Sequence, residues 1–146
     1  MGLDIVYSGN TDGDRNMGWD RERRLLTPES SPITHAIIGC AQKVVNVLGA
    51  GFLESVYEKA LAHEIGKAGL VVESQVPIPV YYDEIAIGKF VADLLVQREI
   101  LVELKSAKAL EAAHTAQCIN YLKATRLKLC LLINFTNILE VKRITY

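Results

Sequence analysis

The sequence is short of the features that mark several classes of protein. Its 16 basic and 17 acidic residues leave a formal net charge of −1, so it has no overall positive charge of the kind found in proteins that coat nucleic acid. No run approaches the ~18 apolar residues that a membrane-spanning helix needs. These absences exclude a histone-like role and a membrane-spanning one, but not an enzyme with a local basic groove.

Cysteine is also scarce. Cys40, Cys118 and Cys130 are odd in number, far apart in sequence and without C-x-x-C spacing, which is typical of small buried residues in a reducing environment. The N-terminus lacks the charged and then apolar pattern of a signal peptide. We therefore expect a soluble, cytoplasmic protein that does not associate with membranes.

The residues that are present suit one globular domain. The chain has 146 residues, half of them hydrophobic, which is enough to bury a core. Residues 8–31 are polar and without hydrophobic period, so we expect residues 1–31 to form a flexible or loosely docked arm. The pair Ser31-Pro32 favours a helix start. Hydrophobic spacing over residues 32–146 then predicts the α/β order α-α-β-β-β-α-β-β.

Two acids and a lysine interrupt the most apolar part of the chain, "VADLLVQREILVELKSAK". If residues 97–99 form a three-residue turn, Val96 pairs with Ile100, and Asp93 falls opposite Glu103. Their Cβ atoms would then lie ~5 Å apart, where two carboxylates repel each other unless a cation lies between them. Mg²⁺ suits such oxygen ligands, with Mn²⁺ as an alternative. An exposed sheet face with ordinary polar residues is the other interpretation.

Lys105 shares a strand face with Glu103, because residues two apart in a strand point the same way. Beside a metal-bound water it could orient that water, or offset charge that develops on a phosphate. It could also simply neutralise its acidic neighbours.

Polar residues also lie on the predicted helices. Glu54 and Tyr57 lie on one stripe of the second helix, and Gln117 and Tyr121 lie on one stripe of the third. Taken alone, Glu54 fits a solvated acid at a helix start better than a site residue, and Gln117 and Tyr121 fit core or rim positions better. Four basic residues near the third helix could form a local basic patch or a solvated face: Lys108, Lys123, Arg126 and Lys128.

Taken together, these residues resemble the GxxExxY proteins, a branch of the PD-(D/E)XK nuclease superfamily. The name motif stands here as "GFLESVY", residues 51–57. The nuclease signature stands as Asp93 followed by Glu103-Leu104-Lys105, and Gln117-x-x-x-Tyr121 is similar to an element of recombination-type exonucleases. The resemblance covers about Ile33 to Tyr146.

The resemblance implies a restriction-endonuclease-like core, in which a mixed central sheet is flanked by helices. It implies that Asp93, Glu103 and the Leu104 carbonyl bind the metal and that Lys105 is the catalytic lysine. It further implies that Glu54 faces the same site, and that Gln117 and Tyr121 hold substrate or the metal's ligand shell. We therefore expect Glu54, Asp93, Glu103 and Lys105 to converge in one pocket.

The implied activity is hydrolysis of phosphodiester bonds in nucleic acid, for which we expect DNA and Mg²⁺. Two alternatives remain open. One is a binding or assembly module that keeps the nuclease fold without turnover, and the other is a metal-dependent hydrolase of small phosphate compounds. A homo-oligomer is compatible with each of them.

Overall fold

The computed structural model describes residues 31–146, which form three helices and five strands. The predicted arm of residues 1–31 lies almost wholly outside the described residues. The observed order matches the predicted α-α-β-β-β-α-β-β. The elements are α1 (Pro32–Leu48), α2 (Glu54–Lys67), β1 (Val72–Tyr82), β2 (Ile85–Val96), β3 (Ile100–Lys105), α3 (Ala112–Thr125), β4 (Leu129–Asn134) and β5 (Glu140–Thr145).

The first helix begins at the residues that the sequence predicted. The Ser31 hydroxyl accepts a hydrogen bond from the Thr34 N–H at 3.2 Å, and Pro32 occupies the first turn, where no amide hydrogen is needed. The helix ends at Gly49, whose positive φ of 68° is one that glycine adopts without strain. The first of these two ends confirms the helix start predicted at Ser31-Pro32.

The strands form a single mixed sheet in the order β1-β2-β3-β4-β5. Only β3 and β4 are parallel to each other, and α3 makes the crossover between them. The strand β1 lies at the sheet's edge and carries Pro77 and Pro79, which an edge strand tolerates. The β3–α3–β4 unit therefore brings the third helix onto the face of the sheet that carries Glu103 of β3.

The turn between β2 and β3 has the three residues that the prediction required. Val96 pairs with Ile100, and Leu95 pairs with Leu101. Gln97 and Arg98 take left-handed conformations, with φ near 53° and 54°, although neither is a glycine. The predicted register is therefore confirmed for these pairs.

Each face of the sheet has its own hydrophobic cluster. The helices α1 and α2 cover one face, where Tyr57, Leu61 and Ile65 of α2 pack against β2, β3 and β4. The helix α3 covers the other face with Cys118, Tyr121 and Leu122. Among residues 31–146, no helix is both long enough and apolar enough to cross a membrane.

Candidate active site

Asp93 lies where β2 and β3 separate. The pairing between the two strands ends at Leu94 and Val102, one residue before Asp93 would meet Glu103. The Asp93 carboxylate instead takes the place of a backbone partner, because its Oδ2 accepts the Leu104 N–H at 2.8 Å. The acid predicted to face Glu103 therefore lies beside it, attached to the backbone of β3 by a hydrogen bond.

The Leu104 carbonyl points to the side of β3 on which the Asp93 carboxylate lies. The carbonyl of the next residue, Lys105, accepts a hydrogen bond from the Phe135 N–H, beyond the end of β4. Backbone groups of successive strand residues point to opposite edges, so those of Leu104 point toward β2 and Asp93. This orientation agrees with the predicted use of the Leu104 carbonyl as an oxygen ligand.

Glu103 is the most buried acid of the described chain. It is 4 % exposed, and its Oε2 has no hydrogen-bond partner among residues 31–146. Burial, helped by the negative charge of Asp93, raises the pKa of Glu103 to about 8, although Lys105 opposes this shift. A buried carboxylate oxygen without a partner is costly, which is the condition that a bound cation would relieve.

Lys105 forms an ion pair with Glu103 inside the protein. Its Nζ lies 3.8 Å from Glu103 Oε1, and the two side chains are only 16 % and 6 % exposed. Lys105 also lowers the pKa of Asp93, which burial raises. One lysine therefore faces two carboxylates, which leaves an excess of negative charge at this position.

The loop between α1 and α2 is held against the end of β3. The Tyr57 hydroxyl donates to the Gly49 carbonyl and accepts the Phe52 N–H at 3.2 Å. The Phe52 carbonyl in turn accepts a hydrogen bond from Ser106 Oγ at 2.9 Å. Tyr57 of the G-x-x-E-x-x-Y motif therefore shapes the loop from within the core, and its ring stacks on Phe135.

Glu54 is the first residue of α2 and is exposed at the rim of the site. Its charge raises the pKa of Asp93, but the charge of Glu58, one turn later, is a larger contribution. The sequence interpretation missed Glu58, although its i, i+4 spacing from Glu54 places both acids on one face of α2. Glu54 is therefore near the Asp93 carboxylate without being its main acidic neighbour on the helix.

Tyr121 and Gln117 approach the site from α3. The Tyr121 hydroxyl donates to the Val91 carbonyl at 3.2 Å and accepts from Gln117 Nε2 at 2.9 Å. Burial raises the pKa of Tyr121, as do the charges of Glu103 and Asp93. The tyrosine is therefore beside the two carboxylates, whereas Gln117 reaches the site through the tyrosine.

Two of the four basic residues that could have formed a local basic patch lie away from the acids. Arg126 and Lys128 line a separate cavity of about 360 Å³ with Glu99 and Ile100, at the start of β3. Lys105, at the other end of β3, is five residues from Ile100. Strand direction therefore separates Arg126 and Lys128 from the acids, and they do not extend a basic patch to the site.

The donors at this site fit a hard divalent cation, although the expected convergence of three carboxylates is incomplete. Among residues 31–146, no three His, Cys, Asp or Glu side chains lie close enough together to hold a metal ion. Asp93, Glu103 and the Leu104 carbonyl nevertheless offer only oxygen atoms, and Glu103 Oε2 lacks a partner. Mg²⁺ commonly uses one or two carboxylates and keeps several waters, so this donor set is sufficient for it.

Comparison with known proteins identifies the family. Neither a search of curated proteins nor a search of solved structures found a significant match. A family model described as the PD-(D/E)XK nuclease superfamily matches residues 31–144, which include all eight helices and strands except the last residue of β5. The five-stranded mixed sheet flanked by helices agrees with the restriction-endonuclease-like core of such proteins. The chain belongs to the PD-(D/E)XK nuclease superfamily.

Proposed function

We propose that this chain is a metal-dependent nuclease of the GxxExxY branch that hydrolyses phosphodiester bonds in DNA. The observation that carries the proposal is the buried Glu103 carboxylate, which has one oxygen without a partner among residues 31–146 and is influenced by the charges of both Asp93 and Lys105. Such perturbed, charge-coupled acids are typical of functional sites. The superfamily's usual dependence on divalent metals supports the same interpretation.

Asp93, Glu103 and the Leu104 carbonyl would hold the metal. A bound Mg²⁺ supplies Lewis acidity toward a phosphate oxygen and lowers the pKa of a coordinated water. The Leu104 N–H orients Asp93, because its hydrogen bond to Oδ2 leaves Oδ1 available as a ligand. The Lys105 ammonium can offset negative charge that develops on the phosphate, since it is held at the edge of the two carboxylates.

Tyr121 and Gln117 would define the wall of the site on the α3 side. The tyrosine hydroxyl is fixed between Val91 and Gln117, and its ring contacts Phe90 of β2. Nucleic acid is the partner that this arrangement favours, and the cytoplasmic location expected from the sequence stays a prediction. The near-neutral net charge implies that binding depends on local contacts.

Cleavage of DNA tests the proposal. Wild type with Mg²⁺ is expected to cut duplex or single-stranded DNA, whereas Asp93→Ala and Lys105→Ala should be slower by at least about 100-fold, the scale of lost electrostatic stabilisation of a transition state. Ser55→Ala, an exposed change at the start of α2, is the matched control. Equal cleavage by all four proteins would identify a contaminant, and wild type that cuts neither DNA nor RNA would refute the proposal.

A catalytically silent binding module is the second candidate. The specific observation in its favour is that, within the described part of the chain, no three potential metal ligands cluster. A silent module would bind DNA with the same affinity with and without Mg²⁺, and Lys105→Ala would then change binding alone.

A further inference from the structure

The hairpin of β1 and β2 extends beyond the rest of the sheet. Only Leu94–Val96 of the 12 residues of β2 pair with β3. At the register of these pairs, Val91 lies level with Lys105, where β3 ends. The preceding segment, Ile85–Phe90, pairs with β1 on one side, and no strand among residues 31–146 pairs with it on the other. We call this segment the free edge of β2.

The hairpin around the free edge is exposed and largely apolar. Every residue from 81 to 91 is exposed. An aromatic side chain presents about 150–250 Å², so the rings of Tyr81, Tyr82 and Phe90, at 62 %, 69 % and 37 % exposure, leave about 250–400 Å² in solvent. Ile85 and Ile87 are 65 % and 62 % exposed and add to this area. The hairpin therefore offers much of the ~800 Å² that each partner buries in a stable interface.

The free edge is suited to another backbone. A strand without a neighbour presents a row of N–H and C=O groups that can pair with a further strand. Gly88 lies in the middle of this segment, and a Cβ placed there would meet no atom within 4 Å. Glycine within a strand often marks a place where another backbone approaches closely. The outer edge of the hairpin is different, because Pro77 and Pro79 of β1 have no N–H to donate.

The charges of the hairpin complement those of an antiparallel copy of itself. The turn carries Asp83 and Glu84, and the free edge carries Lys89. None of the ion pairs of residues 31–146 includes these three residues. If two copies pair about a two-fold axis at Ala86, Lys89 of each copy lies opposite Asp83 of the other. Nucleic acid would instead bring its phosphates to the two acids of the turn, so the charges favour a second copy.

We propose that the free edge of β2 is a self-association surface, at which two copies of this chain pair their β2 strands antiparallel and join their sheets. This proposal does not depend on nuclease activity. The interface uses the same segment of both copies, as a two-fold dimer requires. It ends beside the candidate site, because Tyr121 donates to the Val91 carbonyl and its ring contacts Phe90.

Sedimentation equilibrium of the full chain tests the proposal. Wild type is expected to pass from monomer to dimer between about 1 µM and about 1 mM, the range of affinities for small interfaces. Ile87→Lys should weaken association by at least about 100-fold, because each dimer loses two buried isoleucines. Ile138→Lys is the matched control, since Ile138 is 84 % exposed and lies outside the hairpin. Its association should stay within about twofold of wild type, because that surface is unchanged.

An exchange of charges tests the pairing itself. Lys89→Glu and Asp83→Lys should each remain monomeric at concentrations where wild type is a dimer, because each places like charges opposite each other twice in the dimer. An equimolar mixture of the two variants restores both opposite-charge pairs. Native mass spectrometry should therefore detect a mixed dimer that contains one copy of each variant.

Three results would overturn the inference. The first is wild type that stays monomeric throughout the concentration range. The second is a dimer that Ile87→Lys leaves intact, which would place the interface on another surface. The third is a monomeric wild type whose binding to DNA is weakened by Ile87→Lys, which would make the hairpin a nucleic-acid surface. A mixed dimer formed by two variants that do not associate alone would support it.

Discussion

Successive side chains of the six-residue strand β3 point to opposite faces of the sheet, and the two faces differ in chemistry. Ile100, Val102 and Leu104 point into the hydrophobic cluster beneath α1 and α2. Leu101, Glu103 and Lys105 point toward α3, and the last two of them form a buried ion pair. One face stabilises the fold, while the other retains charges that an apolar residue could replace at lower cost.

The difference shows why the charges require a functional explanation. Replacement of a buried ion pair by apolar residues is often neutral or stabilising, so stability does not account for Glu103 and Lys105. Asp93 adds a second carboxylate that burial already makes harder to ionise. In the proposed function this acidic face, formed by Glu103 and Lys105 of β3 with Asp93 of β2, is a binding site that the apolar face supports.

A substitution that creates a cavity on the apolar face of the sheet, beneath α1 and α2, should have the largest effect on stability. Leu131 of β4 pairs with Val102 and is fully buried in this cluster. We expect Leu131→Ala to lower the free energy of unfolding by about 2–5 kcal/mol, measured by denaturant titration. DNA cleavage per folded molecule should change little. If Leu131→Ala instead kept normal stability but lost cleavage, the two faces would not have separate roles.

The acidic face should make stability depend on pH when no metal is present. The pKa of Glu103 is about 8 in the folded protein and near 4.5 in the unfolded chain. Between these two pH values the folded state therefore binds more protons than the unfolded state. Stability should therefore fall as pH rises from about 4.5 to about 8 and level off above it, by up to ~1.4 kcal/mol per pH unit.

Glu103→Gln removes this titration, so its unfolding free energy should vary less over the same pH range. The residual dependence belongs to Asp93, whose pKa is raised as well. Glu99→Gln, in the exposed turn before β3, should keep the slope of the wild type. An unchanged slope in Glu103→Gln would contradict the assignment of this titration to the acidic face.

Removal of one hydroxyl beside the acids should have the smallest effect. Tyr121→Phe deletes the hydrogen bonds to Val91 and Gln117 but keeps the buried ring. The loss in unfolding free energy should be about 0.5–1.5 kcal/mol. Tyr82→Phe, at an exposed position of β1, is the control and should show none. A loss of cleavage as large as that of Lys105→Ala would instead give Tyr121 a direct part in the reaction.

Local pattern was sufficient to predict most of the fold. The hydrophobic period predicted the order of the helices and strands, and a supposed three-residue turn at residues 97–99 predicted the register between β2 and β3. The length of the turn could only be supposed, because Gln97 and Arg98 carry no glycine signal for their left-handed conformations.

The candidate site was predicted less completely, for two physical reasons. The contact between Glu58 and Gln75 joins residues 17 positions apart in sequence and depends on a distortion of β1 that no local pattern marks. The positions of Arg126 and Lys128 depend on the direction of β3 and β4, which places them at the end opposite Lys105. In both cases tertiary geometry decided the outcome.

The central claim is that the acidic face of β3 holds a divalent metal between Asp93 and Glu103. Anomalous diffraction from a crystal soaked with Mn²⁺ tests it most directly. The account predicts a single strong peak in contact with both carboxylates, with Glu103 Oε2 among the ligands. A peak at another place, or none at Mn²⁺ concentrations that saturate cleavage, would contradict it.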